Sequence, residues 1–173
     1  MSTKRTENLI VIVGAGCNGK TPIAAYLREK YFLYTIHTDS FYLPLDGKKP
    51  SSVLGVIDPV KTNYIKYHKK RLTGISVLEG SHAANSKELD IWVKHLGIDG
   101  WVLVLEAKSP QFSEWVKEKW GVSGGFDWEK YILDLYYDMA DIEPDGVITC
   151  KEDIYKFFKE KNGILHISRP YKH

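Results

Sequence analysis

Five short, largely apolar runs recur along the chain, at Leu9–Val13, Leu33–His37, Ile75–Leu78, Trp101–Leu105 and Gly146–Thr149. Apolar residues fill successive positions in these runs rather than alternate ones, the pattern of strands covered on both faces of a parallel sheet. Between the runs, apolar positions return with helical spacing at Pro22–Lys30, Pro59–Leu72, Ser86–Leu96, Pro110–Trp120, Trp128–Ala140 and Glu152–Lys161. Strand and helix therefore alternate. This predicts an α/β fold, a three-layer doubly wound parallel sheet, with ligands at the carboxyl ends of the strands. A last run, Ile164–Ile167, is a candidate edge strand.

The first run leads without a break into Gly14-Ala15-Gly16-Cys17-Asn18-Gly19-Lys20-Thr21, which matches G-x-x-x-x-G-K-[ST] between a strand and a helix. Glycines let the backbone N–H groups wrap a phosphate, and the helix that starts there adds the positive end of its dipole. In such a loop Lys20 holds the β- and γ-phosphates and Thr21 the Mg²⁺. Pro22 follows directly and disfavours helical geometry in Thr21, although its missing N–H does little harm in a first helical turn. Cys17 sits where a thiol can become more acidic, but a filler at a variable position explains it equally.

With 173 residues, 43% hydrophobic, the chain fits one domain with a single core, so residues 1–173 are expected to form a single unit. The formal charge of +2 supplies no global attraction to nucleic acid or membrane. Cys17 and Cys150 are the only cysteines, and the six histidines are scattered. That argues for a reducing compartment and against a disulfide scaffold or structural zinc. The polar N-terminus reads as neither signal peptide nor membrane anchor, and no run approaches the roughly 20 apolar residues of a spanning helix. The expectation is a soluble, cytoplasmic protein.

Two carboxylates stand at strand ends beside the loop. The second run closes in His37-Thr38-Asp39-Ser40-Phe41-Tyr42, where Asp39 can take a proton from an attacking hydroxyl or order Mg²⁺ through water. Its competing role is a helix N-cap. The third closes in Leu78-Glu79-Gly80-Ser81-His82, where Glu79 is a second acid for metal or acceptor, with a lysine-paired turn acid as the alternative.

A phosphate loop, then Asp39-Ser40-Phe41-Tyr42, then Glu79-Gly80, in that order, resembles the uridine kinase and nicotinamide riboside kinase group of P-loop nucleoside kinases. Gly125-Phe126-Asp127-Trp128, leading into Tyr131 and Tyr136-Tyr137, is loosely similar to the lid-to-helix region of the riboside kinases. The resemblance implies transfer of the ATP γ-phosphoryl group to a sugar hydroxyl. The acid matching Asp39 would then be the base, and the one matching Glu79 would assist metal or substrate. Members commonly carry several lid arginines. Here the segment Leu105–Trp120 has none, and its cations are Lys108, Lys117 and Lys119. Lysine lacks arginine's fork. Arg71 and Arg169 are candidate replacements.

An irregular stretch, about 42–72, separates the two acids and reads as the acceptor-binding excursion; about 107–127, with the glycines around Ser123, reads as a possible lid. Lys48, Lys49, Lys61, Lys66, Lys69, Lys70 and Arg71, with Tyr42, Tyr64 and Tyr67, lie in or beside that excursion. They suit a phosphate-bearing or nucleic-acid acceptor, or form only the wet face of a helix. His37, Tyr42, Arg71 and His82 are the candidate acceptor contacts. The guanine-reading Asn-Lys-x-Asp motif of GTPases is missing. What remains is an ATP- and Mg²⁺-dependent kinase for a nucleoside-like acceptor, with two alternatives. One is a nucleic-acid kinase, of the phage type that phosphorylates hydroxymethyluracil in DNA or of the polynucleotide type. The other is a non-catalytic nucleotide-binding module.

Overall fold

Along β1 (Asn8–Val13) successive side chains serve two different cores. Leu9, Val11 and Val13 face one, Ile10 and Ile12 the other, and all five are fully buried. This is the physical reason that the run is apolar at every position. The computed structural model describes residues 6–38, 74–121 and 125–167. Among these, β1 is the central strand of a five-stranded parallel sheet ordered β2-β3-β1-β4-β5, with β2 at Tyr34–His37, β3 at Ile75–Glu79, β4 at Val102–Ala107 and β5 at Gly146–Ile148. The doubly wound α/β architecture is thus present.

On one face Leu9, Val11, Leu78 and Val104 pack with Trp92 and Leu96 of α2 (Ser86–Leu96) and Tyr136 of α4 (Trp128–Met139). On the other, Ile10, Ile12, Val77 and Leu105 meet Ile23, Leu27 and Tyr31 of α1 (Lys20–Tyr31). A further helix, α3 (Phe112–Trp120), buries only Val116 among its own residues and lies beside α4. No described helix is long and apolar enough to cross a membrane.

Local signals explain the helix ends. Asn85 caps α2 by accepting from Glu88 N, and Gly97, with φ 66°, closes it by donating to Lys94 O. Asp127 caps α4 in the same way through Lys130 N. The helix over Pro59–Leu72, the acceptor excursion, the basic cluster and Arg169 lie outside the described residues.

Two expectations require correction. Glu152–Lys161 is not a helix: a 3₁₀ turn at Lys151–Lys156 gives way to a strand, β6, at Phe158–Lys161. Nor does Ile164–Ile167 join the main sheet. As β7 it pairs antiparallel with β6 in a separate hairpin. The cause is Asn162-Gly163, with φ 55° and 76°, the two left-handed residues of a type I′ hairpin turn. The hairpin places Phe158 and Leu165 in the core beneath α1, a long-range gain that outweighs local helical periodicity.

Candidate active site

Between β1 and α1 the chain adopts a geometry open to few residues. Gly14, with φ 144°, runs so near β4 that a Cβ there would lie 2.7 Å from Ala107 O. Cys17 takes φ 64° without glycine's freedom, at a cost of about 1 kcal/mol. The Lys20 ammonium donates to Gly14 O at 2.7 Å and Ala15 O at 3.0 Å, so its charge lies within the loop. Asn18, a free position in the motif, is buried. Its amide donates to Ala15 O and its carbonyl accepts from Ser109 N at 3.0 Å, bracing the loop to the segment that leaves β4. Pro22 is the third residue of α1, where no partner for its N–H is needed. The helix therefore starts at Lys20, two residues before the sequence places it.

Glu79, at the end of β3, is 5% exposed and held from two sides. Thr21 Oγ1 donates to its Oε1 at 3.3 Å and His37 Nδ1 donates to its Oε2 at 2.7 Å. Residues distant in sequence thus meet through α1, β2 and β3. A hydroxyl and a carboxylate are the hard oxygen donors that Mg²⁺ prefers. Among the described residues no group of three or more His, Cys, Asp or Glu gathers as a metal site. Gly80 has no room for a side chain, because a Cβ would overlap Thr38 Oγ1. Asp39, Tyr42 and Arg71 lie outside the described residues.

A third strand-end acid, Glu106, was not singled out by the sequence. It is buried at the end of β4, in register with Val13, and accepts from Tyr137 OH at 2.9 Å while Lys108 Nζ stands 3.6 Å away. The Glu106 charge holds the Lys108 ammonium above its usual range. Burial first, then the bond to Glu106, raises the Tyr137 phenol, and burial raises that of Tyr136 further. The cluster therefore fastens α4 to the sheet with its phenols protonated at neutral pH.

Three cavities follow one another along this edge. The outermost, about 270 Å³, lies among Pro22, Gln111, Trp115, Thr149, Cys150 and Lys151. The middle one, about 340 Å³, is the loop itself, Gly16 to Pro22, with Glu79, Trp115 and Lys119. The innermost, about 420 Å³, joins Lys20 and the Ser81–His82 turn to Trp120, Leu135, Tyr136 and Met139. His82 thus lies in its wall, whereas His37 is engaged with Glu79. Gln111, Trp115 and Lys119 come at spacings of four residues along α3 and its cap, one residue or two for each cavity. That periodicity was visible in the sequence, but which face it served was not.

No protein-family model and no curated protein match the chain. Among solved structures, a kinase-assigned protein from Chloroflexus aurantiacus aligns with a TM-score of 0.50 at 14% identity, covering 86% of each chain. A sugar kinase from a Janibacter species aligns at 0.48 and 18% identity over 84% of each chain. The APS kinase of Mycobacterium tuberculosis aligns at 0.48 and 14% identity, covering 88% of this chain and 96% of its own. At such identities the likeness is one of fold. The fold is α/β and kinase-like, in keeping with a parallel sheet that carries its phosphate loop after β1.

Proposed function

We propose that this protein is an ATP- and Mg²⁺-dependent kinase that transfers the γ-phosphoryl group to a hydroxyl of a nucleoside-like acceptor. One observation carries most weight: the loop cavity and the aromatic cavity share Gly16, Cys17, Lys20 and Lys119. A triphosphate in the first and an acceptor in the second would meet at the Lys20 ammonium. Pure nucleotide binding needs no second cavity there.

Catalysis in such a site is positioning plus charge neutralisation. The base of ATP would lie in the outer cavity beside Trp115, with its phosphates along the loop amides. Thr21 and Glu79 are the residues that would hold Mg²⁺, whose charge offsets that of the phosphates, with Glu79 acting through water. His37 fixes the Glu79 carboxylate. Asp39 takes the hydroxyl proton. Apolar and aromatic walls at Trp120, Leu135, Tyr136 and Met139 suit a planar ring, and Ser81 and His82 supply polar contacts for hydroxyls.

A second reading, a nucleic-acid acceptor, is favoured by the rings beside the inner cavity. Trp120 and Trp128 stack at 4.9 Å with 13° between planes, and Phe126 meets Trp128 edge-on. Trp120, Phe126 and Tyr131 are each about half exposed, and exposed rings stack bases. Labelled ATP offered with a panel of nucleosides, nucleotides, single strands and modified duplex DNA separates these readings. Transfer to a free nucleoside that is insensitive to salt supports the first; transfer to DNA that weakens steeply with salt supports the second. No labelled product with any acceptor overturns both. Asp39→Asn should retain ATP binding and lose about a hundredfold or more in turnover.

A further inference from the structure

Toward the end of α1 remote from the phosphate loop, three phenols and two ammonium groups gather where that helix meets the 3₁₀ turn at Lys151–Lys156. Tyr155 of the turn stands at the centre. Its hydroxyl oxygen accepts from the Lys30 ammonium and lies 2.9 Å from the Tyr26 hydroxyl. The same ammonium is 5.7, 5.4 and 5.1 Å from the ring centres of Tyr26, Tyr31 and Tyr155, so three aromatic faces hold it in place. The Lys151 ammonium adds a second positive charge 5.6 Å from the centre of the Tyr26 ring. The carboxylates nearest in the chain have other partners: Glu29 has Arg28, and Asp153 has Thr149 and Lys156. Of the five clustered residues only Lys151 borders one of the three cavities.

The phenols differ in state. Tyr31 is buried, and burial raises it, so it stays protonated at neutral pH. Tyr155 is 46% exposed, and donors converging on a phenol oxygen favour its anion. The bond from Lys30 first, then that from Tyr26, brings it down to about 8. Those bonds raise Lys30 in turn, so the ammonium keeps its charge while Tyr155 ionises.

Going beyond the kinase reading and independent of it, we propose that Tyr155 is a modification site, a nucleophilic phenol that takes a phosphoryl group from a small anionic donor such as an acyl phosphate. In the step, the phenolate oxygen forms a bond to phosphorus as the bond from phosphorus to the acyl oxygen breaks. The electron pair leaves on the carboxylate, and the phenol proton has already passed to water. Lys30 and Lys151 explain the choice of donor. They draw an anion in and then pair with the dianionic product, whereas a neutral acyl donor gains nothing from them.

The test incubates wild type, Tyr155→Phe, Lys30→Met and Lys30→Arg with acetyl phosphate, without nucleotide, between pH 6 and pH 10, and locates adducts by peptide mass spectrometry. In wild type, Tyr155 should gain one phosphoryl group about tenfold or more faster than the similarly exposed Tyr131 and Tyr137. Its rate should rise with pH through a midpoint near 8. Lys30→Met should move that midpoint toward about 10, the ordinary phenol value, and lower the rate at pH 7.5 about tenfold. Lys30→Arg keeps the charge and should keep most of the rate. Tyr155→Phe should lose this adduct alone. The assignment falls if the label spreads evenly over exposed tyrosines, if the Lys30 nitrogen is acetylated instead, or if Lys30→Met matches wild type in rate and midpoint. Tyr155 and Lys30 lie at the surface, so the variants should melt close to wild type. Failure of the kinase reading leaves this labelling pattern unchanged.

Discussion

In the half of the site proposed for the nucleotide, the loop is braced by bonds to its own backbone from Lys20 and Asn18; in the half proposed for the acceptor, α4 lends the side chains of Ile132, Leu135, Tyr136 and Met139 to the wall. Asn18 stitches the loop to Ser109, and Asp153 accepts from both Thr149 N and Thr149 Oγ1 at 2.7 Å, holding the end of β5 that borders the outer cavity. By contrast Leu135, Tyr136 and Met139 present apolar surface, and α4 is fastened to β4 through Tyr137 and Glu106. A nucleotide tail is the same in every reaction, and fixed donors suit it. An acceptor varies, and exchangeable side chains on a helix allow that variation without disturbing the loop.

The contrast can be broken most forcefully at Lys20. Lys20→Met should lower phosphoryl transfer about a thousandfold, the upper range for one lost charge-stabilising donor, while the melting temperature stays near wild type; assays on both establish whether the loop fails chemically or structurally. Asn18→Ala should cost about 2 kcal/mol, since it leaves the Ser109 N–H without its partner, and should lower the melting temperature by about 4–8 °C while raising the KM for ATP. Leu135→Trp acts on the other half. It should raise the acceptor KM about tenfold, a shift of about 1.4 kcal/mol, and leave that for ATP within about twofold. Equal shifts in both constants would show that the halves are not separable. Tyr137→Phe removes one hydrogen bond to Glu106 and should cost about 1 kcal/mol, read as a melting shift together with a modestly raised acceptor KM.

The smallest effect concerns pH. Bonds from Thr149, then from Lys156, hold the Asp153 carboxyl well below the usual carboxylate range. Because the folded value lies below the unfolded one, its contribution is complete above about pH 4 and is lost as pH falls through the folded value. Melting curves from pH 7 to pH 3 should show wild type losing more stability than Asp153→Asn, with the two parallel above pH 5.

Much of the fold was legible because its signals are local. Strands buried on both faces are apolar at every position, as at Leu9–Val13, and Asn85 with Gly97 marks both ends of α2. The phosphate loop is contiguous, so its eight residues announce themselves. The hairpin was also written locally, in Asn162-Gly163, but the helical spacing over Glu152–Lys161 masked it. The place of Glu106 and the position of Lys119 beside the loop were not legible for a different reason. Glu106 directly follows the Trp101–Leu105 run as Glu79 ends its own, but no glycine comes after it to draw notice, and Lys119 is one of three lysines between Leu105 and Trp120 until α3 is laid along the cavities.

By itself the amino-acid sequence determined the alternation of strand and helix, the Gly14–Thr21 motif between β1 and α1, and Glu79 at the end of β3, since each depends on residues close together in the chain. The tertiary structure alone decided that Thr21 and His37 grip Glu79, that Glu106 anchors α4 through Tyr137, and that Lys119 stands between two cavities. Those pairings join residues tens of positions apart, and only the order of strands in the sheet brings them within reach.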